Sequence, residues 1–506
     1  MSNKKDLNEI NDQIQVRRQK MQELRDHGID PFGSRFERTD RAIDLHQKYQ
    51  DKSKNDLEKL NAKTAISGRI VAKRGKGKVG FADLKDQTGR IQIYIRKDEV
   101  GSEQYQIFKK ADLGDFIGVN GEIMKTDMGE LSVRVEKLTF LSKALRPLPD
   151  KHKGLTNIEQ KYRQRYLDLI ANQDSFDRLL KRTKVIKAVR EYLDSLDFVE
   201  VETSMLHSEA GGASARPFIT HHNALDTDFY LRIALELQLK ELIIGGIDRV
   251  YELGRVFRNE GIDTKHNPEF TMLETYAAYW DLSDVMIETE DLLRFVAKKV
   301  NNSTVLNFHG DQIDLGPKFK EITMAQAVED ATGIDFTKNI SDEEALKLAH
   351  DHGIKTENFW KTGHVLNAFF DKYVESTLIQ PTFVCAHPIE VSPLAKKDPK
   401  DPRFTLRFEL YVGGGELANA FTELNDPIDQ RERFIEQAKE SAKGNDEAQN
   451  IDENFVEAME YGMPPTGGLG IGIDRLTMLM TDAPSIRDIL MFPTLKPEKN
   501  KFLKKG

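Results

Sequence analysis

Gly254-Arg255-Val256-Phe257-Arg258-Asn259-Glu260, followed after a short gap by His266-Asn267-Pro268-Glu269-Phe270, is the stretch on which the reading of this chain turns. It joins an apolar, strand-like segment to a polar loop carrying Arg258, Glu260 and His266, then returns to an apolar segment ending in Glu274. A guanidinium fixed at such a loop offers a planar fork of donors that matches phosphate and carboxylate oxygens bidentately. Along extended chain, Arg258 and Glu260 fall on one side and Phe257 on the other. Glu260 can then accept hydrogen bonds from an amine or a base edge while Arg258 neutralises phosphate, with His266 across the loop. A salt-bridged hairpin would explain an isolated Arg-x-Glu equally well. The density of polar groups around this one weighs against that simpler account.

Two further clusters share its character. Glu409, Glu416 and Glu423 are spaced seven apart, and a turn at Gly413-Gly414-Gly415 would bring Glu409 and Glu416 together on adjacent strands. Carboxylates in one pocket raise each other's pKa unless a cation intervenes. Mg²⁺ with a triphosphate is the natural one, because it is commonly held by one or two carboxylates plus phosphate oxygens. Glu423 lies in the apolar-flanked run Asn419-Ala420-Phe421-Thr422-Glu423-Leu424. An unpaired carboxylate there would be costly, so a cationic partner is expected. The third cluster is Gly467-Gly468-Leu469-Gly470-Ile471-Gly472-Ile473-Asp474-Arg475-Leu476. Its glycines permit close backbone approach to a ligand, and Arg475 at a helix start can reach phosphate oxygens.

At 506 residues the chain exceeds one core and implies two to four domains. Its single cysteine, Cys385, excludes an intrachain disulfide framework and a Cys-rich metal site. No run approaches a membrane span and the N-terminus has no signal-peptide core, so a cytoplasmic protein is expected. The net charge of −9 hides a basic stretch: residues 63–97 hold ten Lys or Arg against two acids. That asymmetry suits a confined polyanion site, or simply a solvated loop. There is no G-x-x-x-x-G-K-[ST] loop and no dinucleotide glycine fingerprint.

Helical spacing predicts a surface helix over 5–27, ended by His27-Gly28, and a second polar helix around 39–60. Residues 64–145 change to short alternating strands at 65–71, 79–84, 91–95, 116–123 and 131–135, with a short helix over 105–110. That pattern fits a small Greek-key barrel of the oligonucleotide-binding type. Pro147-Leu148-Pro149 and residues 150–154 make a linker, and 175–194 an amphipathic helix. Strands are expected at 250–253, 270–278, 404–412 and 415–423, and one or two helices over 426–460. The interval 321–375 reads as a helical, acidic insertion without evident chemistry.

Taken together, these residues resemble the three signature motifs of class II aminoacyl-tRNA synthetases, most nearly the bacterial-type lysyl-tRNA synthetase family. The resemblance runs through the barrel, the stretch 154–169, motif 1 near 186–206, motif 2 at 252–276 and motif 3 at 467–480. It implies an α+β fold: an antiparallel sheet with flanking helices, plus an N-terminal five-stranded OB-fold β-barrel. The implied segments are a helical extension (1–63), an anticodon-binding domain (64–146), a linker and start of the catalytic module (147–174), and a catalytic domain (175–506) with the insertion near 321–375. The implied activity is that of a lysine–tRNA ligase using ATP and Mg²⁺, acting on L-lysine and tRNA(Lys) as a homodimer.

Carried over by position, Arg258, Arg475, Glu409 and Glu416 would be catalytic. Arg258 would hold the α-phosphate and the lysine carboxylate, and Glu409 and Glu416 would bind Mg²⁺. Glu260 and Asn267 would contact adenine, Phe270 would stack on it, and His266 and Arg475 would take the β- and γ-phosphates. Lysine would meet Gly212, Glu236, Glu274, Tyr276, Asn419, Phe421 and Glu423, with Glu423 and Tyr276 at the ε-ammonium and Glu236 with Gly212 at the α-ammonium. Arg74, Phe81, Gln92 and Glu130 would read the anticodon. The chain departs from the motifs at Ser204 (commonly proline), Lys265 and Gly415 (commonly arginine) and Leu406 (often aspartate). A protein-modifying relative would lack the barrel, and an RNA-binding paralogue would have lost ATP- or Mg²⁺-contacting residues. Neither loss is present.

Overall fold

A computed structural model describes residues 2–149, 154–209, 211–213, 215–445, 448 and 451–498. Residues 150–153 of the linker expected over 147–154, and the last residues of the 175–506 segment, lie outside that set. Two compact units form, Met1–Thr156 and Asn157–Gly506.

In the first unit the helix Ser2–Asp26 stops just before Gly28, whose φ of +71° continues no helix. The single polar helix expected over 39–60 is instead two, Ala42–Tyr49 and Lys54–Leu60. Ser53 causes the break: its hydroxyl accepts from the Asp56 N–H while Asp56 reaches back to the Ser53 N–H, a reciprocal cap that starts a new helix. Five strands follow: β1 (Lys63–Lys76), β2 (Val79–Lys85), β3 (Arg90–Arg96), β4 (Phe116–Lys125) and β5 (Leu131–Ser142). The helix Lys97–Lys110 packs Val100, Tyr105 and Phe108 onto the core of Ile66, Ile70, Ile93 and Val133. A bulge between Ile70 and Ala72 bends β1, so its first half pairs with β4 and its second with β2.

The second unit holds a large sheet of β6 (Val199–Glu200), β10 (Arg249–Phe257), β11 (Glu269–Ala278), β14 (Lys320–Thr323), β15 (Thr382–Cys385), β16 (Arg407–Tyr411), β17 (Glu416–Thr422) and β18 (Thr466–Gly472). Their order across the sheet is β14-β15-β16-β17-β18-β11-β10-β6. A three-stranded sheet of β7 (Leu206–His207), β8 (Ile219–His222) and β9 (Thr227–Leu231), and a hairpin of β12 (Val305–Phe308) and β13 (Asp311–Asp314), flank it in sequence. The helices Gln173–Asp194, Leu282–Asn301 and Ile473–Thr481 bury Val185, Val189, Leu292, Val296 and Leu476 in one core with sheet residues such as Leu273, Phe408 and Ile471.

The expected fold class is corrected at the parallel pairing that enters both sheets. The large sheet is antiparallel from β15 through β10, but at its edges β6 pairs with β10 and β14 with β15 in parallel. In both cases the chain leaves through helices, Glu236–Ile244 in the first and Met324–Thr332, Asp342–Asp351 and Thr362–Tyr373 in the second. A crossover of that kind returns the next strand in the same direction. The small sheet closes into a barrel, its strands following one another as β1-β2-β3-β5-β4 and back to β1. The β3–β5 seam is parallel and only three residue pairs long, Gln92 with Ser132, Ile93 with Val133 and Tyr94 with Arg134.

Candidate active site

The register of the large sheet assembles the site. Glu409, Asn419, Gly470 and Glu274 lie opposite one another across β16, β17, β18 and β11. One step along, Arg407, Phe421, Gly468 and Tyr276 form a parallel row. Side chains two apart share a face, so Gly468, Gly470 and Gly472 clear one side of β18. The clearance at Gly468 is obligatory. A Cβ there would stand 2.0 Å from Glu423 Oε1 and 2.6 Å from the Tyr276 ring. The result is a cavity of about 350 Å³ lined by every residue assigned above to ATP, metal or lysine.

At the inner end, acids are buried in excess. Glu274, 4% exposed, accepts from the Leu235 N–H at 3.2 Å and the Tyr276 hydroxyl at 3.0 Å. Desolvation, reinforced by Glu236, pushes its pKa up to about 7. Glu423, 1% exposed, is raised by the same desolvation and held back by Lys240. The Lys240 ammonium touches Glu423 Oε2, yet neither Glu423 oxygen has an aligned hydrogen-bond donor among the described residues. Lys240 also bonds Glu236 Oε1 at 2.5 Å, one helical turn back. Burial opposes its charge, but Glu236 and Glu423 outweigh burial and its pKa is raised. Gly212, at φ +86°, lies against Ala234, Leu237 and Glu236.

At the outer end, β10 stops at Phe257, so Arg258 and Glu260 stand on the loop and not on the extended segment the sequence suggested. The Arg258 N–H still donates across to the Pro268 carbonyl at 2.8 Å, and its guanidinium lies 5.2 Å from the Phe270 ring centroid. Desolvation lowers its pKa against the opposing pull of Glu260, Glu416 and Glu274. Asp263 organises the loop, accepting from the Lys265 and His266 N–H groups and pairing with the His266 ring at 2.9 Å. The Asn267 amide donates to the Glu269 carbonyl and its oxygen accepts from the Thr494 N–H. Asp474 is buried, paired with Arg182, and accepts from the Thr271 N–H, which fixes the start of the helix bearing Arg475.

Glu409 and Glu416 line one pocket but are separately satisfied. Arg407 and the Tyr411 hydroxyl bond Glu409, and Arg475 bonds Glu416 at 3.0 Å. Asp371 and Glu375, from the insertion that looked chemically empty, add to this acidity. Desolvation and the charges of Glu375, Glu409 and Glu416 push Asp371 up to about 7. No group of three or more His, Cys, Asp or Glu among the described residues could hold a metal alone. Two hard carboxylates in an acid-rich pocket, with the remaining positions left for phosphate oxygens and water, nevertheless suit Mg²⁺.

The sequence missed Arg407, Lys240, Asp371 and Glu375. Arg407 could have been found, since it alternates with Glu409. The other three depend on packing between distant segments. In the first unit, the exposed Arg74 lies over Phe81 at 5.3 Å, and Phe81 packs at a tilt against Tyr94, ring centroids 5.0 Å apart. Gln92 is buried and accepts from the Ser132 hydroxyl at 3.0 Å, so its oxygen is engaged. Glu130 is exposed at the turn before β5. At Ser204 the N–H donates to Gln238 at 3.1 Å, a bond a proline there could not form.

Residues 157–496 match the family tRNA synthetases class II (D, K and N), and residues 64–141 match the OB-fold nucleic acid binding domain. The chain belongs to the class II tRNA synthetases. Within that class its place is the bacterial-type lysyl-tRNA synthetase family. It is 64% identical over 499 residues to the lysine–tRNA ligase of Latilactobacillus sakei subsp. sakei (strain 23K), covering 99% of each chain. It is 60% identical to that of Enterococcus faecalis (strain ATCC 700802 / V583), covering 97% of this chain and 98% of the relative. For Bacillus subtilis (strain 168) the identity is 59%, with 96% and 98% covered.

Proposed function

We propose that this pocket performs both steps of lysine attachment to tRNA(Lys). The activity is that of a lysine–tRNA ligase. The lysine carboxylate attacks the α-phosphate of ATP, forming the acyl phosphate bond of lysyl-adenylate and breaking the bond to pyrophosphate. The terminal adenosine of tRNA then attacks the carbonyl carbon through a ribose hydroxyl, and AMP leaves. The attacking carboxylate is already ionised, so no side chain has to act as an obligatory base. The protein aligns the reactants and neutralises charge at phosphorus.

The observation that carries these roles is polarity along one cavity: β18 runs from Gly468, beside Glu423 and Tyr276, to Gly472, beside Arg475, and Arg258 feels the charges of both Glu274 and Arg475. The acidic end suits the two ammonium groups of lysine, with Glu423 and Tyr276 at the ε-ammonium and Glu236 with Gly212 at the α-ammonium. Asn419 and Phe421 line the wall between. Arg258 bridges the lysine carboxylate and the α-phosphate. Phe270 stacks on adenine, Glu260 and Asn267 take its edge, and His266 and Arg475 take the outer phosphates. Glu409 and Glu416 would hold Mg²⁺, which when bound neutralises phosphate oxygens.

Arg74, Phe81, Gln92 and Glu130 are proposed to read the anticodon, and the Arg74–Phe81–Tyr94 ladder supports base stacking there. We also propose the segments 1–63, 64–146, 147–174 and 175–506 as the functional divisions, a homodimer and a cytoplasmic location. Exposed Val199, Met205 and Leu206 in motif 1 support a dimer contact. Among the described residues no helix is long and apolar enough to cross a membrane. The test is aminoacylation of tRNA(Lys) with labelled lysine and ATP. Acid-precipitable lysyl-tRNA with stoichiometric AMP is expected; ATP use without charging would refute the second step.

A further inference from the structure

Lys240 is a charged residue shut off from solvent: it is 0% exposed and sits behind the pocket wall, in contact with the lining residues Glu236 and Glu423. Its ammonium contacts two carboxylates carried on different elements, Glu236 on its own helix and Glu423 just beyond β17. The Tyr276 and Phe455 rings stand 5.9 and 6.0 Å from it. The groups facing this cluster are therefore Glu236, Glu274, Glu423, Tyr276 and Lys240 itself. Three carboxylates against one ammonium leave two formal negative charges. Lysine brings two ammonium groups, so a bound lysine would neutralise the inner end. Its own carboxylate is left for Arg258.

Charges in a dry site survive only when paired, and removing one member of a buried pair leaves the other uncompensated. Without Lys240, Glu236 and Glu423 would face each other with no cation between them, and a carboxylate would take up a proton before lysine arrived. Glu423 Oε1 sharpens the point. Lys240 holds Oε2 of that carboxylate, while Oε1, at the space cleared by Gly468, has no hydrogen-bond partner among the described residues and is open to a ligand ammonium.

Resting on the lysine-pocket reading above, we infer that Lys240 is a positioning residue for amino-acid selection. It clamps Glu236 and Glu423 at the spacing a diammonium ligand needs and sets the pocket's charge at the value lysine cancels. It touches neither ATP nor the reacting phosphorus.

The experiment is lysine-dependent ATP–pyrophosphate exchange by full-length Lys240→Met and Lys240→Arg, measured from pH 6 to 9. Methionine keeps most of the packing volume and removes the charge. In K240M the lysine KM should rise on the order of 100-fold, with the ATP KM unchanged and the acidic limb of the lysine KM profile moved to higher pH. K240R should restore the wild-type limb. A K240M lysine KM and pH profile like those of the wild type would overturn the inference, as would loss of lysine and ATP affinity together in both variants. If K240M does not fold, K240R decides: selective retention of the wild-type limb supports the role, and parallel loss of both substrates refutes it. Wild-type protein showing no lysine-dependent exchange would instead overturn the lysine-pocket reading on which the inference rests.

Discussion

Substituting Gly468 by alanine probes the cavity at its tightest point. The added Cβ would meet Glu423 Oε1 at 2.0 Å and the Tyr276 ring at 2.6 Å, both shorter than any real carbon contact. Neither neighbour can yield freely. Tyr276 donates to Glu274, and Glu423 is in contact with Lys240. Overpacking of this kind costs about 1–3 kcal/mol, and the displaced groups are those proposed to hold the ε-ammonium. If the strain falls on the ligand-binding geometry, the lysine KM rises by roughly 5- to 150-fold, at about 1.4 kcal/mol per tenfold. Gly470→Ala is the internal comparison, because its Cβ would meet Met272 Cε at an ordinary 3.4 Å and should leave thermal stability almost unchanged. The assay is ATP–pyrophosphate exchange with lysine and ATP varied separately. A Gly468→Ala enzyme with the wild-type lysine KM, or one that loses only ATP affinity, would refute this placement of the ε-ammonium.

Arg258→Lys keeps a charge but loses the planar fork beside Phe270, so single-turnover adenylate formation should slow by roughly 10²–10³-fold; an unchanged rate would remove Arg258 from the reacting centre. Phe81→Ala should raise the tRNA KM in aminoacylation by about 1–3 kcal/mol of lost stacking while leaving pyrophosphate exchange intact, and loss of exchange would mean damage beyond the barrel. Glu288 gives a stability prediction. Desolvation pushes its pKa up to about 8 from 4.5, with only Thr275 and Arg249 opposing. Because the folded pKa lies above the unfolded one, this group's contribution is fully present below about pH 4.5 and is lost as pH rises toward about 8, by up to roughly 5 kcal/mol. Glu288→Gln should therefore flatten the fall in unfolding free energy between pH 5 and 8; an unaltered slope in urea titrations would refute it.

The local pattern of the site was legible because its chemistry is concentrated in short runs. Arg258, Glu260 and His266 share one loop, and alternation in β17 and β18 marks both the face carrying Asn419 and Phe421 and the glycines that clear space before it. A buried Glu423 in need of a cation followed from its apolar neighbours alone. The cation found there, Lys240, was not legible, since a lysine four residues after a glutamate looks like any surface helical pair. Asp371 and Glu375 were missed for a related reason: only the crossover from β14 to β15 brings the end of the insertion beside Glu409 and Glu416. The parallel edges of the large sheet escaped likewise, since strand direction depends on where the intervening helices return the chain. Two short helices replaced one around residue 53 because a local cap outweighed the longer periodicity.

The central claim is that an acid-rich inner end and a guanidinium-bearing outer end of one cavity select lysine and activate it with ATP. ATP–pyrophosphate exchange by the full-length protein, run with each amino acid in turn and Mg²⁺ present, tests this most directly. The account predicts rapid exchange with lysine and little with arginine, aspartate, asparagine or neutral amino acids. Exchange absent with lysine, or faster with any other amino acid, would contradict it.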